Sequence, residues 1–210
     1  MPKKPYSVMI VEDQPMARKL FEMIVEQDEG YELKYSVESA SVAHMYCDKE
    51  TPDLVIMDVI MSDRSNGLDA AERIKKSHPD VKIVITTSMP EVSFIERAKQ
   101  AGVDSFWYKG AEPAEILDVM NRTMAGQSIY PDTTPAVNLG EIDSTELTGA
   151  ELEVLRELTK GASNVEIAEI LCISPTTVRT HISNMLSKTG FANRTELAIK
   201  ARLSGLVIGE

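Results

Sequence analysis

Cysteine is nearly missing from this chain, and so is tryptophan: 210 residues carry two cysteines, Cys47 and Cys172, and the single tryptophan Trp107. Both cysteines fall in stretches with helical apolar spacing, so they read as buried free thiols. That excludes a disulfide framework or a thiolate metal centre. No run approaches the roughly 20 apolar residues of a membrane span, and the opening Met1-Pro2-Lys3-Lys4-Pro5 is followed by a short apolar stretch that soon meets Glu12 and Asp13. A cytoplasmic protein with no membrane partner is expected. Positive charge is scarce as well: 22 Lys and Arg against 33 Asp and Glu leave a net charge of −11. Such a chain does not coat nucleic acid through bulk charge. The deficit is uneven, because from Leu147 onward seven bases meet seven acids and the whole excess of acid lies before that point.

What is present is a regular alternation. Ser7–Val11, Leu33–Val37, Leu54–Met57, Ile83–Thr87 and Ser105–Tyr108 are short apolar runs that read as strands. Between them lie helical patterns: Met16, Leu20 and Ile24; Ala40, Ala43 and Cys47; Ile95 and Ala98; Ile116 and Met120. Strand alternating with helix implies a parallel sheet covered on both faces. Five such units predict a doubly wound, flavodoxin-like α/β domain over residues 6–125, whose functional groups gather just after the strands. Residues 126–145 lose the pattern and hold Pro131, Pro135 and Gly140, as a linker does. Residues 146–208 carry only helical signals and predict a small all-α domain of four helices.

Strand one ends in Glu12-Asp13 and strand three in Asp58. Adjacent ends of a parallel sheet bring these three carboxylates together, and clustered carboxylates raise one another's pKa unless a hard cation such as Mg²⁺ sits among them. Strand four ends in Thr86-Thr87-Ser88 and strand five in Lys109, adding a hydroxyl and an ammonium to the same rim. A phosphoryl group carried on a carboxylate needs these parts around its oxygens. Acids after strands also serve as helix N-caps, but N-capping does not account for five such groups in this order.

Val11-Glu12-Asp13, Met57-Asp58, Thr87-Ser88 and Phe106-Trp107-Tyr108-Lys109 resemble the signature of response-regulator receiver domains. The resemblance implies that Asp58 is the phosphoacceptor, that Glu12, Asp13, Asp58 and the carbonyl of Ile60 hold Mg²⁺, and that Lys109 pairs with a phosphoryl oxygen. Thr87 and Phe106 would be the switch pair, with Thr86 as the adjacent alternative to Thr87. The chain departs from the family pattern in two places. Ser62 follows Met61 where proline is usual and Gly67 comes one residue late, so a longer, differently shaped loop is expected. Gly110 follows Lys109, so the cis peptide common there is not expected, a non-proline cis bond costing about 2.5–4 kcal/mol.

In the last domain, Asn164 can cap a helix to Leu171, Cys172-Ile173-Ser174 makes a turn, and Ser174-Pro175 restarts a helix as N-cap and N1. On that second helix Val178, Ile182 and Leu186 face inward, which leaves Thr176, Arg179, Thr180 and Ser183 outward, short or basic groups able to enter a major groove. Many such helix pairs never meet DNA. However, Leu147-Thr148, Glu151, Val154-Leu155, Gly161, Ser163-Asn164, Glu166-Ile167-Ala168, Ser174, Thr177-Val178-Arg179 and His181 resemble the LuxR/FixJ-type helix-turn-helix, and the chain as a whole resembles a response regulator of the NarL/FixJ type. The resemblance implies base contacts from Arg179, Thr180 and Ser183 and phosphate contacts from Thr177, Asn184 and Lys188. It also implies that part of the Leu197, Ala198 and Ala201 stripe forms a dimer contact on two-fold DNA sites. His181, with no nucleophile paired to it, reads as a structural residue at the edge of the groove.

The expectation is a DNA-binding transcriptional regulator controlled by a histidine kinase through Asp58 with Mg²⁺. It would be a homodimer when active and an enzyme only in its own phosphotransfer and dephosphorylation. Two rivals stand beside it. A Mg²⁺-dependent phosphatase usually has a second Asp two residues after its nucleophile, where this chain has Ile60. A constitutive dimeriser would leave the acidic site unused.

Overall fold

The computed structural model describes residues 4–91, 93–109 and 113–207. Its first ten elements alternate: β1 (Tyr6–Val11), α1 (Pro15–Gln27), β2 (Tyr31–Val37), α2 (Ala40–Lys49), β3 (Leu54–Asp58), α3 (Gly67–Ser77), β4 (Lys82–Thr87), α4 (Ser93–Gln100), β5 (Ser105–Tyr108) and α5 (Pro113–Met124). The strands form one sheet in the order β2-β1-β3-β4-β5, every pairing parallel. This is the doubly wound arrangement, with Glu12, Asp58 and Lys109 at or just past the carboxyl ends of their strands.

Because side chains alternate along a strand, each face of a sheet covered on both sides collects every second residue. Val8, Ile10, Leu54, Ile56, Val84 and Trp107 cluster on one face with Phe21 and Val25 of α1 and Ile116 and Met120 of α5. Met9, Val55, Met57, Ile83, Ile85 and Phe106, also buried, point to the other. Each such side chain contributes about 1.5–3 kcal/mol by leaving water. On α1 the buried residues are Phe21 and Val25. The Met16–Leu20–Ile24 spacing that announced this helix is its outer stripe, Met16 being 88% exposed. A period of four marks a helix, not which side of it is covered.

The chain divides into two compact units, Met1–Ser88 with Ser93–Asp132, and Met89–Val92 with Thr133–Glu210. Within the expected linker, Ile129 accepts the Phe106 N–H at 2.8 Å beside β5. Further on, β6 (Asn138–Leu139) and β7 (Ile142–Asp143) form a hairpin. Its Leu139 is buried in the core of the second unit.

That core gathers Val154, Leu155 and Leu158 of α6 (Gly149–Thr159), Ile167 of α7 (Asn164–Leu171), Val178, Ile182 and Met185 of α8 (Pro175–Thr189), and Leu197 and Ala201 of α9 (Arg194–Leu203). Capping fixes the helix starts: Thr148 with Glu151 and Ser163 with Glu166 form capping boxes, and Ser174 accepts the Thr177 N–H ahead of Pro175. Ser163, not Asn164, therefore caps α7, and the Asn164 amide oxygen instead accepts from Arg194 at 2.8 Å. Cys172 is exposed rather than buried. It closes α7 in the left-handed region at φ 54° and ψ 41°, which turns its side chain out of the helical register. Leu197 and Ala201 are packed inside their own unit, and the exposed apolar residues of α9 are Ile199 and Leu203. Among the described residues no helix is long and apolar enough to cross a membrane.

Candidate functional site

The sheet carries Glu12, Asp13 and Asp58 to one place, where ligand atoms of all three lie within 4.8 Å of one another. Glu12 and Asp58 are buried. Lys109 reaches across from β5 and places its Nζ 2.5 Å from Glu12 Oε2 and 3.1 Å from Asp58 Oδ1. One ammonium thus offsets part of the repulsion of three acids. Burial still pushes the Asp58 carboxyl up to about 6, the Lys109 charge opposing and the Glu12 charge adding to the rise.

The two oxygens of Asp58 differ. Oδ1 takes Lys109 and the Val59 N–H, the latter at 2.9 Å, whereas no described residue donates to Oδ2. Asp13 is similarly divided: Oδ2 accepts the Ser62 N–H at 2.7 Å, and Oδ1 is buried without a partner among the described residues. A hard cation needs such spare carboxylate oxygens, and this donor set fits one.

The loop after Asp58 is a small hairpin. Ile60 and Asn66 form an antiparallel bridge, Met61 N–H donates to Ser65 O, and Arg64 turns the tip at φ 67°. Its flank is clipped to the start of α2: Asp63 accepts from the Ser39 and Ser65 hydroxyls at 2.5 and 2.6 Å, and the Ser65 hydroxyl accepts the Ala40 N–H at 3.1 Å. Gly67 closes the base, its N–H donating to Val59 O at 2.7 Å. The glycine that comes late in the loop sits against the acceptor's own backbone.

Thr87 and Phe106 are both buried, and the Thr87 carbonyl accepts the Lys109 N–H at 2.7 Å. Gly110 lies outside the described residues. Sequence reasoning passed over Arg18, whose guanidinium donates to the Glu12 carbonyl at 3.0 Å and pairs with Glu38 at 2.7 Å. Only the spacing of α1 from Glu12 could have indicated it.

In the second unit, Thr177, Arg179, Thr180, Ser183 and Asn184 are exposed along α8. Thr177 and Thr180 also bond locally, to the Ser174 hydroxyl and the Thr176 carbonyl. Lys188 is placed differently. Its ammonium donates to Glu151 Oε2 at 2.8 Å and to the Glu146 carbonyl at 3.0 Å, so it is tied to the start of α6 instead of standing free for a phosphate. Glu151 is only 3% exposed, a burial that sequence spacing does not reveal.

A doubly wound domain with a lysine-closed acidic rim, followed by a unit that exposes the second helix of a helix-turn-helix, defines a two-part signalling regulator. The family models agree: residues 8–121 match "Response regulator receiver domain" and residues 145–201 match "Bacterial regulatory proteins, luxR family". The chain is 33% identical over 205 residues to the response regulator protein VraR of Staphylococcus epidermidis, covering 95% of this chain and 98% of that protein, and equally to VraR of Staphylococcus aureus. A solved RcsB–DNA complex superimposes with a TM-score of 0.64 at 20% identity, over 94% of this chain and 98% of that one. A LuxR-family two-component response regulator from Aurantimonas sp. SI85-9A1 gives 0.57 at 25% identity, over 62% and 91%. The chain belongs to the two-component response regulators with a LuxR-type DNA-binding domain, and is a DNA-binding transcriptional regulator.

Proposed function

We propose that this regulator is switched by phosphorylation of Asp58, with a histidine kinase as the donor and Mg²⁺ as the cofactor. The observation that carries the reading is the asymmetry of Asp58: Oδ1 is held by Lys109 and Val59, and Oδ2 has no donor among the described residues. Oδ2 is the oxygen free to attack phosphorus as the phosphohistidine P–N bond breaks. Glu12, Asp13 and Asp58, with the Ile60 carbonyl, are the groups that would hold Mg²⁺. When bound, the cation neutralises charge on the transferring phosphoryl oxygens. Lys109 supplies a further positive charge beside Asp58. The chain acts on no other substrate and is no enzyme beyond its own phosphotransfer and dephosphorylation.

Loading Asp58 shifts the Thr87–Phe106 side of the site, and that shift favours a homodimer on two-fold DNA sites in the cytoplasm. Arg179, Thr180 and Ser183 face base edges and Thr177 and Asn184 face phosphates, and their exposure on α8 supports this assignment. The test is DNA affinity against a random-site pool, with and without phosphodonor and Mg²⁺, for wild type and Asp58→Ala. Tightening in the wild type alone is the expected result. Equal binding by both proteins would remove Asp58 as the control point.

A further inference from the structure

Two polar side-chain atoms on the strands beside the acceptor are enclosed and unbonded among the described residues. Thr86 Oγ1 and Trp107 Nε1 are buried and have no hydrogen-bond partner among the described residues, their residues being 0% and 8% exposed. An enclosed hydroxyl or indole N–H left unbonded costs free energy, and valine or phenylalanine would fill these places without that cost.

Their positions in the sheet are related. Asp58 on β3 stands opposite Thr86 on β4, and Thr86 stands opposite Trp107 on β5. Residues directly opposite in a sheet share a face, with strands about 4.8 Å apart. The face is the one covered by α1 and α5, since Ile56 and Val84, two residues earlier, cluster there with Trp107 itself. Thr87 points to the other face. Lys109, two residues beyond Trp107, therefore crosses β4 on Thr86's side to reach Asp58.

The three groups have ordered hydrogen-bonding capacities. An indole N–H only donates, a hydroxyl both accepts and donates, and a carboxylate or acyl oxygen only accepts. Across three adjacent strands they can form one chain, Trp107 N–H to Thr86 Oγ1 and Thr86 O–H to Asp58. In the structure Lys109 and Val59 already serve Asp58 Oδ1. An incoming phosphoryl group draws the Lys109 ammonium toward its own oxygens and leaves the buried Oδ1 one donor short.

Resting on the reading of Asp58 as phosphoacceptor, we propose that Thr86 is a positioning residue for it. On loading, its hydroxyl turns to donate to Asp58 and accepts the Trp107 indole N–H, so that the acceptor is held from β4 as well as from β5. This hydroxyl lies on the acceptor's own face, a role separate from that of Thr87.

The 210-residue chain has one tryptophan and so one indole N–H resonance. The experiment follows that resonance in ¹⁵N-labelled protein as Mg²⁺ and beryllofluoride are added, in wild type, Thr86→Val and Thr86→Ser. The indole signal should move downfield on loading in wild type and Thr86→Ser and stay in place in Thr86→Val. Phosphorylation by acetyl phosphate should slow about tenfold in Thr86→Val, the scale of one lost hydrogen bond to a charged group. It should recover in Thr86→Ser. A wild-type indole signal indifferent to loading, or one that moves equally in Thr86→Val, would overturn the inference while leaving Asp58 as acceptor. Wild-type protein that takes up neither beryllofluoride nor phosphoryl would remove both readings together. Should Thr86→Val fail to fold, the wild-type titration and the Thr86→Ser rate still decide.

Discussion

Gly67 lies against the carbonyl of Asp58: a β-carbon built on residue 67 would stand 1.9 Å from the Asp58 oxygen. That atom is backbone and cannot swing aside as a side chain would. Gly67→Ala is therefore expected to displace the acceptor strand's end and to cost about 3 kcal/mol or more, at the upper end of overpacking. Urea unfolding with and without Mg²⁺ measures both consequences. Wild-type stability and Mg²⁺ affinity in the variant would show that the loop base moves freely.

The proton on Asp58 has a predictable sign. Burial lifts the group from 3.8 to about 6, against the pull of Lys109 and with the push of Glu12. The folded chain then holds this proton more tightly than the unfolded chain does. The resulting stability is complete below the unfolded value of 3.8 and is lost as pH rises through about 6. Asp58→Asn should accordingly stabilise the divalent-free protein by about 3 kcal/mol at neutral pH and by little near pH 4. Thermal unfolding at the two pH values checks this, and an equal gain at both would place its origin elsewhere than in the charge.

Lys188 and Glu151 form a structural pair. Burial raises the Glu151 carboxyl, but the bonds from Lys188 and Thr148 outweigh it and hold the group below its usual value. The contribution is present above the unfolded value of 4.5 and is lost as pH falls through the depressed folded one. Lys188→Ala leaves an enclosed carboxylate without its cation and should cost about 3 kcal/mol at neutral pH. A variant that loses DNA affinity at unchanged melting temperature would instead restore Lys188 to the phosphate contacts.

Arg179 is the contrasting case, exposed on α8. Arg179→Ala should leave the melting temperature unchanged and weaken specific DNA binding by about 1–3 kcal/mol, the range for one bidentate base contact. Affinity on cognate and scrambled sites separates that from a phosphate contact, which would weaken both alike.

Much of this was legible in the residues. Ser105–Tyr108 coincides with its strand and the other runs lie within two residues of theirs, because the central strands, buried on both faces, are nearly unbroken apolar runs, while the edge strand β2, with Glu32, Lys34 and Ser36, shows the largest offset. Glu12, Asp13, Asp58 and Lys109 could be placed together because parallel strands deliver their ends to one edge. Quantities set by the third dimension were not legible. The outward turn of Met16, the left-handed cap at Cys172 and the engagement of Lys188 by a buried acid all depend on which neighbour arrives from a distant segment. The pairing of Thr86 with Trp107 depends on register, which a list of strands leaves undefined.

The hairpin after Asp58 confines the irregularity it contains. The turn at Arg64 lies within the Ile60–Asn66 bridge beside the clip to Ser39, and the loop closes where Gly67 bonds Val59. Arg64 at the turn can thus vary like the slack in a looped cord, whereas Asp63 and Ser65, which hold the clip, and the Ser62 N–H, which holds Asp13, tie the loop to the acidic site.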